Sequence, residues 1–431
     1  MYELIRELYP ICRSITGDGL RETLRRISKY ISITINEVPS RTTVLDWTVP
    51  LEWNIRAAHI RDSTGAKVVD FADSNLHVVG YSEPIAERMN LEALKEHLHS
   101  IPEKPDVIPY RTSYYSRDWG FCLRHSELER LDEQEYEVLI DSSLAEGSLT
   151  YGELVVPGEL PDEVLISTHC CHPSLCNDNL SGIAVATFLA AEMIKKQPRH
   201  TFRFLFIPGT IGSITWLARN RESTARIKAG LVVTGLGDRG TLHYKKSRRG
   251  DTTVDLASSL VVRGAGGAVE DFSPYGYDER QYCSPGFDLP VGVLSRTPHG
   301  TYPEYHTSAD NLEFVTAESL AGSLQAAMEI IFILENNQTF RNTAPFGEPQ
   351  LGRRGLYARV GGQGPQPDSM AMLWVLNLSD GTNDLLSIAR RSALPFESIF
   401  WAAEALRDSG LLVRHSPSRP NSPSSQELGQ S

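Results

Sequence analysis

Apolar and polar positions follow three different patterns along this chain, and each predicts a different architecture. Between 157 and 345, short runs dominated by apolar residues fall at 163–168, 202–207, 231–234 and 291–294. Runs of that length predict strands covered on both faces. Apolar residues recur at helical spacing over 181–196, 213–221 and 317–336, so strands and helices alternate and the sheet is expected to be mostly parallel. The first 36 residues predict one or two helices broken at Ser14-Ile15-Thr16-Gly17-Asp18-Gly19, followed by short strands at 34–38 and 42–49. From 51 to 156 the texture changes: β-like pieces at 55–60, 67–71, 76–81, 137–140 and 149–156 alternate with turn residues, which predicts a β-rich inserted module.

A Gly- and Pro-rich linker is expected at 343–366. Beyond it, helical spacing at 371–378, 382–391 and 395–409, breaks at Ser379-Asp380-Gly381 and 392–395, and a short strand at 411–414 describe a winged helix. The domain assignment is therefore 1–50 with 157–345 for the α/β domain, 51–156 for the insert, 366–414 for the winged helix, and 415–431 for a Ser/Pro-rich disordered tail.

The net charge of −12 argues against a general nucleic-acid binder. The helix at 395–408, which would face DNA in a winged helix, is acidic and apolar, so packing or homo-oligomer formation is its expected role. A DNA-binding regulator is the competing reading and predicts salt-dependent binding. No apolar run approaches the roughly 18 residues that span a bilayer, and the amino terminus has no signal-peptide core, so no membrane association and a cytoplasmic location are expected.

Candidate chemistry concentrates in Thr168-His169-Cys170-Cys171-His172-Pro173-Ser174-Leu175-Cys176-Asn177-Asp178-Asn179-Leu180-Ser181-Gly182, between a predicted strand and a predicted helix. His169, His172 and Asp178 are ligand types for zinc, and His306 supplies a third imidazole from a turn-rich loop after the strand at 291–294. Two imidazoles and one carboxylate leave an open position, the arrangement of a catalytic zinc. Six cysteines in a chain of 431 residues do not make a disulfide framework, and Cys170, Cys171 and Cys176 read as small residues packed under the site.

The Asn177–Gly182 run and Tyr305-His306-Thr307 resemble the co-catalytic zinc aminopeptidases. Nearly the whole chain is similar to a bacterial family of aminopeptidase-like proteins often linked to polysaccharide or secondary-metabolite biosynthesis. Further stretches that carry this likeness are Arg13–Gly19, Asp46-Trp47-Thr48-Val49-Pro50-Leu51-Glu52-Trp53-Asn54, Thr112-Ser113-Tyr114-Tyr115, Trp119-Gly120-Phe121-Cys122, Asp278-Glu279-Arg280-Gln281-Tyr282-Cys283-Ser284-Pro285-Gly286 and Pro303–Asp310. The resemblance implies a phosphorylase/hydrolase-like zinc-exopeptidase sandwich with a β-rich inserted domain and a C-terminal winged-helix domain. It implies metal binding by His169 and His306 and a bridging carboxylate at Asp178.

Four positions depart from that pattern. Gly209 and Thr210 stand where the aminopeptidases carry two glutamates, one the general base and one a ligand. Cys171 replaces the aspartate after the first histidine, and Asp238 falls four residues beyond the strand end where a further ligand is expected. One zinc ion is therefore expected, and the base must come from elsewhere: Asp278 or Glu279 first, then Glu304 by strand alternation. Arg280 would hold a substrate carboxylate or phosphate, with Tyr305 beside it as a substrate contact. The expected activity is a single-zinc, aminopeptidase-like amide hydrolase acting on a small peptide-like or aminoacylated substrate. The alternative is a relative that lacks the glutamate base and keeps the metal pocket for binding or scaffolding.

Overall fold

Eight strands make one mixed sheet in the computed structural model, which describes residues 1–356 and 369–415. They are β1 (Thr34–Pro39), β2 (Ser148–Val156), β3 (Leu160–His169), β4 (His200–Ile207), β5 (Ile227–Val233), β6 (His243–Lys245), β7 (Ala268–Glu270) and β8 (Val291–Ser295). Their order across the sheet is β1-β2-β4-β3-β5-β8-β6-β7. The central strands β4, β3, β5 and β8 are parallel, while β1–β2, β2–β4 and β6–β8 pair antiparallel.

The central strands are mostly apolar on both faces because helices cover both sides, and the charges they do carry, Glu163 and Arg203, pair with each other. Leu165, Leu205, Ile207, Val232 and Val293 pack in one cluster with Trp216 and Leu217 of a helix α2 (Ile211–Arg219). The alternate residues Val164, Ile166, Phe204 and Phe206, which point to the opposite face, are equally buried. The helix α1 (Gly182–Ile194) connects β3 to β4 and is mostly buried, with Ile194 exposed at its end. A later helix, Ala317–Asn336, is long and apolar enough by length and composition to cross a membrane; half of its most apolar window is buried, including Leu320, Ala327 and Ile330.

The insert is a four-stranded antiparallel sheet of Lys67–Asp70, Glu52–Arg61, Glu135–Ala145 and Ile85–Asn90, in that order. Its period is two: Tyr136, Val138 and Ile140 are buried while Glu135, Glu137 and Leu139 are not. Two expectations are corrected here. The segment at 149–156 belongs to the large sheet as β2, and 76–81 forms a 3₁₀ turn at Asn75–His77 rather than a strand. Both runs are apolar and short, so local periodicity does not say which sheet, if any, they join. The strands β6 and β7, of three residues each, and the helix Thr253–Gly264 between them carry too little pattern to be foreseen.

The second compact unit begins at Phe332. Strands Asp380–Asp384, Thr339–Asn342 and Leu412–Arg414 form its sheet, with helices Ser369–Leu378, Leu385–Ser392 and Phe396–Asp408. Thr339–Asn342, assigned by sequence to the α/β domain, pairs with both other strands, and the helix expected at 382–391 starts three residues later because 380–384 is extended. Residues 357–366 of the expected linker and 416–431 of the expected tail lie outside the described residues. Helix Phe396–Asp408 buries Phe396, Ile399, Ala402, Ala403 and Leu406, and its one cation, Arg407, pairs with Glu404 and Asp408.

Candidate metal centre

Chain order places a crevice at the end of β3. The connection through α1 leads to β4 on one side of β3, and the connection through α2 leads from β4 to β5 on the other. A sheet splits its loops apart at such a reversal, leaving a crevice outside the carboxyl ends of its strands. His169 is the last residue of β3, and Asp178 lies in the distorted turn Cys176–Ser181 that leads into α1. The Asp178–Asn179 peptide bond is cis.

Asp178 stands between two imidazoles. Its Oδ1 lies 2.8 Å from His169 Nε2 and its Oδ2 lies 3.0 Å from His306 Nε2. One ligand atom each from His169, His172 and Asp178 lie within 4.8 Å of one another, and the His172 and His306 rings are 5.3 Å apart. Backbone donors hold the carboxylate-bearing turn: Asp310 accepts from the N–H groups of Asn177 (2.6 Å) and Asp178 (2.9 Å). Asn179 ties the turn to β3, donating to Thr168 Oγ1 at 2.8 Å and to the His169 carbonyl at 3.0 Å.

The electrostatics suit a cation. Burial opposes ionisation of Asp178, but His172, His169 and His306 around it override that and hold its carboxyl well below the usual range. Burial pushes the His172 imidazole down to about 3, against the pull of Asp178, and a deprotonated imidazole nitrogen has a lone pair to offer a metal. Imidazole nitrogens converging on one carboxylate, with no lysine or arginine bonded to it among the described residues, fit zinc chemically. His169, Asp178 and His306 would hold the ion, with His172 within reach.

His306 reaches the site from a loop fixed by the insert. The Tyr110 N–H donates to the His306 carbonyl at 2.8 Å, Ser308 N–H donates to the Ile108 carbonyl at 2.8 Å, and Tyr110 meets both His172 and His306 edge-on at 5.1 Å. The insert therefore builds one wall of the site. His306 and Thr210 both hold left-handed φ angles, 52° and 63°, which cost side-chain-bearing residues about 1–3 kcal/mol each and cluster where position matters.

Above the centre lies a pocket of roughly 440 Å³. Asp278, Arg280 and Tyr305 line it together with His169, His172 and His306. The ring of Tyr305 stacks on His306 at 4.0 Å. Asp278 is buried, and its Oδ1 accepts from Thr210 N–H at 2.6 Å and Ser213 Oγ at 2.9 Å. Burial raises its pKa, with His169 pulling the other way.

Glu279 and Glu304 do not share this place. Glu279 is fully buried and pairs with Lys245 Nζ at 2.8 Å, outside the pocket lining. It begins the helical turn Glu279–Tyr282, where successive side chains point about 100° apart, so only one of two neighbouring carboxylates can face the pocket. Glu304 also falls outside the lining, because its segment is a turn in which its carbonyl accepts from Thr307, not a strand with alternating sides. Asp238 is bound by Thr297 Oγ1 at 2.7 Å and Asn177 Nδ2 at 3.0 Å, and it likewise does not line the pocket. Gly209 does: a Cβ built there would lie 3.5 Å from Cys171 Sγ and 3.6 Å from His169 Cβ, ordinary contact distances.

Three supporting residues were not foreseen. Tyr277 stacks on His169 at 5.0 Å, with its hydroxyl 3.5 Å from Asp178 Oδ1. Asp310 closes the Pro303–Asp310 stretch by bonding the Asp178 turn, a contact across 132 residues that no local pattern encodes. Arg13 is buried behind the site, where Nε donates to the His172 carbonyl at 3.1 Å and Nη1 to the Leu8 carbonyl at 2.7 Å. Arg13→Leu leaves both carbonyls without that donor, at about 1–3 kcal/mol each. The expected result is a lower urea midpoint with an unchanged m-value; an unchanged midpoint would show that Arg13 does not brace the site.

Residues 2–337 match a domain family of unknown function, DUF4910, and residues 338–414 match a winged helix-turn-helix family. A Clostridium acetobutylicum protein named for polysaccharide biosynthesis and an aminopeptidase-like domain is 51% identical over 409 residues, which is 94% of each chain. A crystal structure of a candidate peptidase from Clostridium acetobutylicum superposes with a TM-score of 0.92 at 50% identity, over 96% of this chain and 95% of that one. A zinc aminopeptidase from Bacillus subtilis matches with a TM-score of 0.57 at 13% identity, over 77% of this chain and 93% of that one. An M28 peptidase precursor from Shewanella amazonensis gives 0.53 at 13% identity, over 78% and 92%. The α/β unit thus has the zinc-aminopeptidase fold, followed by a winged helix.

Proposed function

The chain belongs to the DUF4910 domain family, and from that premise we propose that it is a single-zinc, aminopeptidase-like amide hydrolase acting on a small peptide-like or aminoacylated substrate. The observation that carries the reading is Asp178, shared between His169 and His306 beneath the pocket. When bound there, zinc supplies Lewis acidity to the amide carbonyl. Asp278 takes the proton from the attacking water: its Oδ1 is held by Thr210 and Ser213, which leaves Oδ2 for the proton. Tyr277 remains protonated, since burial and the Asp178 charge push its phenol well above the ordinary value, and it can donate a hydrogen bond into the pocket.

The name of the Clostridium relative supports a setting in polysaccharide biosynthesis. In the same reading the protein works in the cytoplasm, and its winged helix serves homo-oligomer packing, because the acidic helix Phe396–Asp408 leaves Trp401 exposed and offers phosphates no free cation.

The test is elemental analysis together with a panel of aminoacyl p-nitroanilides. About one zinc per chain is expected, as three protein ligands with one open position require. Hydrolysis should be lost to a chelator and restored by zinc. Zinc-loaded protein that cleaves no amide would instead favour the binding or scaffolding role, the reading that Gly209 and Thr210 support by standing where two glutamates would be.

A further inference from the structure

The turn from Asp278 to Arg280 carries three charged side chains, and two of them are already bonded within the protein. Asp278 is bound by Thr210 N–H and Ser213, and Glu279 by Lys245. Arg280 is not: among the described residues its guanidinium makes no ion pair, and its Nε is buried without a hydrogen-bond partner. A partly buried guanidinium without an acceptor is costly unless something else supplies one. The pocket adds a second cation at its exposed edge, Arg111, which lies 3.2 Å from His99 Nδ1. Against these two arginines the lining offers one carboxylate, Asp278.

An enzyme that reads the free amine of a peptide needs an acidic group to pair with an ammonium ion. The inventory here is the reverse. We propose that this pocket selects amide substrates bearing a carboxylate or phosphate monoester, with the anion held by Arg280. The guanidinium fork matches either oxyanion, and a charge-assisted pair of this kind sets orientation as well as affinity. Arg280 follows Tyr277 by three residues, and Tyr277 touches both His169 and Asp178. An anion on Arg280 would therefore sit beside the metal centre, within the span of a small molecule. The inference rests on the same pocket as the proposed hydrolase, but it is read by binding and not by turnover.

The experiment is calorimetric titration of zinc-loaded protein with N-acetylphenylalanine, its neutral carboxamide, phenyl phosphate, and phenylalanine amide as the cationic probe. At least one of the two anions should bind about tenfold or more tightly than the carboxamide and the cation; which of them does so distinguishes carboxylate from phosphate. Arg280→Gln should remove that preference while leaving carboxamide affinity within about twofold, and Arg280→Lys should keep part of it. A preference that survives Arg280→Gln would place the anion on the metal and overturn the proposal. So would tighter binding of the cation, or no binding of either anion. Absence of hydrolysis with an intact, Arg280-dependent preference would count against the hydrolase reading alone.

Discussion

Asp278→Asn is expected to slow amide hydrolysis by about two to four orders of magnitude, the usual contribution of a positioned general base. The substitution is informative because it should change little else. Asparagine keeps an oxygen where Oδ1 accepts from Thr210 N–H and Ser213, so the start of α2 stays capped, and zinc content and melting temperature should be those of the parent. The pH profile adds a second readout. A base must be ionised to act, so the rate rises with pH through its pKa. Burial raises that of Asp278, so the acid limb should lie above the ordinary carboxylate range and vanish in the variant. Gly209→Glu supplies the companion experiment: there is room for its Cβ beside His169 and Cys171, so a glutamate there should restore activity to the Asp278→Asn protein. An Asp278→Asn enzyme that retains full activity would remove Asp278 from the chemistry.

Much of the fold is legible because the central strands are buried on both faces. Runs such as Leu165 to Thr168 and Phe202 to Ile207 can hardly be anything else once helices of period 3.6 lie between them. What escapes is pairing at the margins. β2 reads as part of the insert because nothing within Ser148–Val156 says that its partners are β1 and β4. Thr339–Asn342 is likewise too short to reveal that it belongs with strands more than 35 residues downstream. Register across long sequence separations is set by tertiary packing, which local pattern does not record.

The site divides in the same way. His169, His172 and Asp178 are legible because they crowd one strand–helix junction, and His306 because its loop is turn-rich. Choosing among Asp278, Glu279 and Glu304 needs the direction of each side chain, and that depends on a single helical turn and a hairpin-like loop. Asp310 and Arg13 are harder still. Each acts through a backbone group far away in sequence, so the stretches that carry the family likeness include both residues but do not reveal what they do.

His306→Ala should strip the protein of zinc. The half-exposed imidazole comes from a loop 128 residues after Asp178, and the two are linked through Asp178 Oδ2, so the alanine leaves that oxygen facing open pocket. Outer partners of metal ligands cost about 10–100-fold in affinity when removed, and loss of a ligand should exceed that. Dialysed protein should fall from about one zinc per chain to a small fraction of it, with hydrolysis lost in parallel. The fold should survive, because His306 holds the insert loop through its backbone carbonyl, which alanine retains. His172→Ala then separates the imidazoles on the other side: zinc retained there but lost from His306→Ala assigns the ion to His169, Asp178 and His306. Full zinc content in His306→Ala would instead confine the ion to the cluster of His169, His172 and Asp178 and leave His306 as a pocket residue.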